Sequence, residues 1–169
     1  MGIGLNMKRF LAVVAVLAVA GPAAATVVPR LTLEEIVARS EVVVHGRCVR
    51  TWAAWDSERR FIWTHSEIQV LDRWKGAAGA TVVVSELGGV VGEMGLAVDG
   101  MPRYEPGEEV VLFLYRVPNG YWRTRGLGQG KYEVEVSARG ESRARDAGSI
   151  EQFKTRVRGI AARPAAGDR

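Results

Sequence analysis

Cysteine is nearly missing from this chain, with Cys48 alone among 169 residues. One thiol excludes an internal disulfide framework and any zinc site built on several cysteines. Histidine is almost as scarce: His45 and His65 are the only two. Zinc and copper sites need about three or four ligands at fixed geometry. Two imidazoles with Glu67 nearby fall short of that, so no metal is expected. H-E-x-x-H, G-x-S-x-G and G-x-x-x-x-G-K-[ST] are all lacking, and no pair of carboxylates is singled out by spacing. No catalytic residue and no cofactor are therefore assigned from the sequence. With 47% hydrophobic and 25% charged residues, the composition is that of a globular protein rather than a disordered one.

Long apolar runs are lacking too. Phe10–Ala20 is eleven residues, short of the roughly 20 that span a bilayer. Its setting predicts a secretory signal peptide over residues 1–25. Lys8 and Arg9 supply the positive start, Gly21-Pro22 breaks the run, and Ala23-Ala24-Ala25 supplies small residues for cleavage. Met7 precedes Lys8 directly, so either Met1 or Met7 serves as the start. Cleavage leaves 21 basic residues against 19 acidic, a net charge of +2. So small a charge gives no electrostatic argument for nucleic acid. The expectation is a secreted or periplasmic protein with no membrane anchor once the signal is removed.

What is present is mostly β-pattern. Thr32 and Glu35 form a capping box for a short helix over about Leu33–Arg39, with Leu31 and Ile36 as its hydrophobic staple. From Glu41 the period becomes that of strands. These are expected at Val42–Arg50, Phe61–Leu71, Thr81–Leu87, about Met94–Val98, Glu109–Val117, Tyr121–Arg125 and Lys131–Val136. Thr51–Arg60 reads as a polar connection containing tryptophan. Gly46 marks a bulge or a close backbone approach. Glu105-Pro106-Gly107-Glu108 fits a type II turn, and Pro118-Asn119-Gly120 a tight hairpin. Ser149 caps a last helix with Ile150, Phe153, Val157 and Ile160 on one stripe. The fold class is therefore mainly β, a small OB-like barrel with a short N-terminal and a C-terminal helix, over residues 26–160. A sandwich is the alternative, and residues 161–169 read as a flexible tail.

The set Ser40-Glu41-Val42-Val43-Val44-His45-Gly46, then Thr64 to Val70, then Trp74-Lys75-Gly76 resembles the netrin-type module, the OB-like barrel of the tissue inhibitors of metalloproteinases. Gly100-Met101-Pro102-Arg103-Tyr104, Pro106-Gly107-Glu108 and Gly126-Leu127-Gly128-Gln129-Gly130-Lys131 are similar to a family of uncharacterised secreted bacterial proteins. The resemblance covers about Leu31–Val136 and implies a barrel. It does not carry over an inhibitory site. Those inhibitors begin on a disulfide-bonded cysteine that chelates the target's zinc, whereas the mature chain here would begin at Thr26.

Candidate chemistry narrows to one feature. If the first two strands turn about residues 55–56, His45 and His65 become neighbours beside Glu67. Cys48 alternates with Val44 and Gly46 and is expected in the core, inert. The glycines of Gly88–Gly95 and Gly126–Gly130 precede strands rather than helices, so they are barrel corners and not phosphate loops. Trp52, Trp55, Phe61, Trp63 and Trp74 crowd the first hairpin. Trp52, Trp55, Arg59, Arg60 and Trp63 form the candidate binding set, since exposed Trp and Arg are typical recognition residues. The expected function is a binding module for a protein partner, with a glycan second. The alternatives are a hydrolase with carboxylates converging at the barrel mouth and a purely structural envelope protein.

Overall fold

The computed structural model describes residues 29–163. The predicted signal peptide and residues 164–169 lie outside that range. Helix α1 spans Leu33–Arg39. The strands are β1 (Val42–Trp55), β2 (Ile62–Lys75), β3 (Thr81–Leu87), β4 (Gly89–Val91), β5 (Met94–Leu96), β6 (Glu109–Arg116), β7 (Trp122–Thr124), β8 (Lys131–Val136), β9 (Ser142–Ala144) and β10 (Gly148–Ser149). Helix α2, Ile150–Ala161, ends the described chain.

Strands β1, β2, β3, β7 and β6 follow one another around a ring, and β6 returns to β1 to close it. All neighbours are antiparallel except β3 and β7, which meet in parallel at Val84 and Trp122. The protein is mainly β, and this five-stranded ring is the OB-like barrel expected from the strand pattern. Strands β8, β9 and β10 extend the sheet beyond β6, and β4–β5 is a separate hairpin. The short β9 and β10 carried no signal above their turns. The expected fourth strand is shorter, Met94–Leu96, and part of the glycine-rich link before it forms β4.

Alternation along the strands separates two cores. Val42, Val44, Cys48, Val110, Leu112 and Leu114 point into the barrel with Ile68, Val82, Val84 and Tyr104. The intervening Val43, Val111 and Phe113 point outward, where α1 and α2 cover them with Ile36, Val37, Phe153 and Val157. Strand β6 is thus buried on both faces, which explains why Val110–Leu114 is an unbroken apolar run.

The helices are held as their caps predict. The Thr32 hydroxyl accepts from the Glu35 N–H, and the Glu35 carboxylate accepts from the Thr32 N–H. The Ser149 hydroxyl accepts from the Gln152 N–H. The Trp74-Lys75-Gly76 triplet locks α1 to the barrel. Lys75 Nζ donates to the carbonyls of Val37 and Ser40, each at 2.6 Å. Trp74 packs edge-on against Phe153 of α2 at 5.6 Å. Gly76 holds φ +70°, and a Cβ there would sit 2.2 Å from the Glu41 carbonyl oxygen, so only glycine fits. At Gly46 a Cβ would come within 2.6 Å of the Gln69 carbonyl oxygen, the close approach expected of that residue.

Candidate binding surface

Strand β1 does not end at Arg50 but runs on to Trp55, and β2 starts at Ile62. The polar connection expected over Thr51–Arg60 is therefore largely strand. The reason is cross-strand pairing. Thr51, Trp52, Ala53, Ala54 and Trp55 oppose Ser66, His65, Thr64, Trp63 and Ile62 in unbroken register, and aromatic pairs of this kind stabilise a two-stranded ladder. The link shrinks to residues 56–61. There the Asp56 N–H donates to the Phe61 carbonyl, and the Arg60 N–H donates to Asp56 Oδ1 at 2.7 Å.

The same register moves the hairpin tip from residues 55–56 to near Glu58 and Arg59. His45 then faces Asp72, while His65 faces Trp52. The two histidines are not neighbours. His45 Nε2 instead lies 2.7 Å from Glu109, and among the described residues no three His, Cys, Asp or Glu side chains gather as a metal-binding group.

A register shift between Cys48 and Arg50 decides which side chains face outward. Val49 is the extra residue, half-exposed at 50%. Before it, the even-numbered residues face the barrel; after it, the odd ones do. Cys48 lies in the interior with burial pushing its thiol pKa up, which disfavours the reactive thiolate. Thr51, Ala53 and Trp55 oppose Ser66, Thr64 and Ile62 on the interior side. Arg50, Trp52 and Ala54 share the outer face with Glu67, His65 and Trp63. Trp52 and Trp55 thus lie on opposite sides of one strand.

On that outer face the rings form a continuous row. Trp52, 38% exposed, stacks on His65 with centroids 5.3 Å apart. Tyr121, just before β7, stands edge-on to His65 at 5.5 Å and to Trp63 at 5.2 Å. Guanidinium groups flank both ends: Arg50 lies 4.9 Å from Trp52, and Arg123 lies 5.6 Å from Trp63. Arg50 is paired to Glu67 at 2.7 Å. His65 Nδ1 lies 2.8 Å from the Ser85 hydroxyl, and burial holds its imidazole pKa below the ordinary 6.5. A mostly neutral imidazole suits this apolar row.

Of the residues singled out in the sequence, the fold brings Trp52 and Trp63 together on this face. It leaves Trp55 behind the strand and sets Arg59 and Arg60 at the hairpin tip, where Arg60 pairs with Glu58 at 2.8 Å. Arg50, His65, Tyr121 and Arg123 were missed. Alternation from Trp52 would have found Arg50; nothing local could place Tyr121 or Arg123, which arrive from a distant strand.

Arg123 also anchors the ring. Between β3 and β7 the ladder has a single bridge, and Glu86 fills the gap beyond it. Its carboxylate accepts from the Thr124 N–H at 2.7 Å and from Arg123 Nε and Nη2, both at 3.2 Å. Burial pushes the Glu86 pKa up, and the Thr124 and Arg123 bonds oppose it. Tyr104 OH meets the Thr124 hydroxyl beside this pair, at 2.5 Å. A cavity of about 560 Å³ opens here, between the β4–β5 hairpin and residues 101–105, with Glu86, Tyr104 and Glu105 in its lining.

Comparison with protein-family models and with curated proteins found no match for the chain.

Proposed function

We propose that this protein is a secreted or periplasmic binding module whose recognition surface is the outer face of β1 and β2, completed by Tyr121. The observation that carries the reading is the ring row Trp52–His65–Tyr121–Trp63 with an arginine at each end. Tyr, Trp and Arg are the residues that dominate recognition hot spots. OB-like barrels bind ligands at the face of their second and third strands and at the loops joining strands one to two and four to five. The proposed surface shares β2 and the two links, residues 56–61 and 117–121, with that region. A protein partner fits this surface of aromatic rings flanked by ion-paired arginines best, and a glycan comes second. The netrin-like resemblance supports the barrel scaffold and brings no inhibitory site with it. The exported location rests on the predicted signal peptide.

The test is capture of envelope proteins by the purified chain and by its Trp52→Ala variant, with captured proteins identified by mass spectrometry. A partner held by the parent and lost with Trp52→Ala supports the reading. Equal capture by both refutes this face as the site.

One observation favours a second reading, the hydrolase: Glu86 and Glu105 line the same cavity. The Glu86 carboxylate, however, already accepts three hydrogen bonds from Thr124 and Arg123, which ties it to the barrel wall. It serves better as a strut than as an acid or base.

A further inference from the structure

We propose that two copies of this chain pair through the free edge of β1, independently of what the aromatic face binds. Strand β1 has β6 on one edge only as far as Arg47, and Cys48 still exchanges backbone hydrogen bonds with Gly107 and Glu108. From Val49 to Trp55 it has β2 on one side and, among the described residues, no hydrogen-bonded strand on the other. Gly89 of β4 lies against Ala53 and Ile62, but β4 forms its ladder with β5 and exchanges no ladder hydrogen bonds with β1.

Open edges template further pairing unless lysine, proline, a sharp bulge or a cover protects them. Arg50–Trp55 contains no lysine and no proline, and the Val49 bulge lies before it, leaving Thr51–Trp55 in unbroken register. Its single charge, Arg50, is already engaged by Glu67. Half-exposed Val49 and Trp52 lie along it.

The segment is complementary to itself in an antiparallel register centred on Ala53. Opposite residues of such a pair share one face of the sheet. On the outer face, Arg50 then meets the second copy's Asp56, and Trp52 meets its Ala54. On the interior side, Thr51 meets Trp55 and Ala53 meets Ala53. Each large side chain opposes a small one, and the only charges opposed are of opposite sign. An isologous contact of this kind closes on itself as a dimer rather than growing into a filament. It joins β3-β2-β1 of both copies into one sheet and places two Trp52–His65 rows side by side.

Sedimentation of the purified chain across micromolar concentrations is the test, with two variants. The parent should sediment as a concentration-dependent dimer. Ala54→Lys puts a lysine on the outer face opposite Trp52, the guard that natural edges use, and should weaken dimerisation by about tenfold or more. Ala53→Cys places one thiol on the two-fold axis and should give a covalent dimer on mild oxidation, whereas Glu58→Cys at the hairpin tip should not. If Ala54→Lys fails to fold, the cross-link decides. A parent that stays monomeric overturns the proposal. So does a folded Ala54→Lys chain that dimerises as tightly as the parent, or an Ala53→Cys chain that does not cross-link.

Discussion

Val42–Arg47, the first half of β1, has a strand on each edge, and at Val42–Val44 it has the barrel interior on one face and the helices on the other. Val49–Trp55, the second half, keeps only β2 beside it and turns one face to solvent. The composition follows that division. Val42-Val43-Val44 is uniformly apolar because every direction is buried, while Arg50-Thr51-Trp52-Ala53-Ala54-Trp55 mixes charged, polar and apolar residues because one face is open. The bulge at Val49 separates the two and resets which residues look outward. One strand therefore carries both scaffold and surface, and a substitution should act on stability or on recognition according to its side of Val49 and its face.

The sharpest break of that comparison is in the doubly buried region. Phe113 opposes Val43, is fully buried, and contacts Tyr132 and Phe153 at 5.6 and 6.1 Å. Phe113→Ala should cost about 3–5 kcal/mol in urea unfolding, the range for a buried aromatic. A loss below about 1 kcal/mol would mean that the helices do not form a core with the barrel.

Trp55 comes next, on the interior side of the second half and only partly buried. Trp55→Ala should cost about 2 kcal/mol, less than a full aromatic deletion because the site is half open. Equal losses for Trp55→Ala and Trp52→Ala would contradict the assignment of the two rings to opposite faces.

These two tryptophans also mark where the sequence was readable. The caps at Thr32 and Ser149, the type II turn at residues 105–108 and the apolar run of β6 are local signals, and each has the structure its residues predict. Thr51–Trp55 misled because threonine, alanine and tryptophan beside a charge cluster look like loop. Their ladder partners, Ile62–Ser66, supply the stabilisation, and that is a non-local fact. The site was half legible for the same reason. Trp52 and Trp63 declare themselves as aromatic, but whether they share a face depends on the bulge at Val49. Tyr121 and Arg123 come to them only because the ring closes through β7.

Trp52 sharpens the comparison from the surface side. Trp52→Ala removes a ring that is 38% exposed and should lower stability by less than about 1 kcal/mol. If the face is a recognition surface, the same change should weaken partner binding by about 2 kcal/mol or more. Calorimetric melting and a binding titration on one preparation separate the two effects. A large stability loss with unchanged binding would make Trp52 a packing residue.

The smallest expected effect concerns His65, the partner of that stack. Burial holds its pKa below the ordinary 6.5, so the folded chain resists protonation that the unfolded chain accepts. Above pH 6.5 both forms are neutral and the residue adds no pH dependence. As pH falls from 6.5 through the lowered value, the unfolded state binds more protons and stability declines. His65→Phe keeps a ring against Trp52 and Tyr121 but cannot be protonated. It loses the Ser85 hydrogen bond, an offset that does not vary over this range. Urea unfolding of both chains between pH 7.5 and about pH 5 should therefore give curves that diverge, with the parent falling more steeply. The remaining titratable groups are common to both chains and cancel in the difference. Parallel curves would show that the imidazole is solvated rather than packed into the row, and the aromatic face would then be looser than its 5.3 Å stack implies.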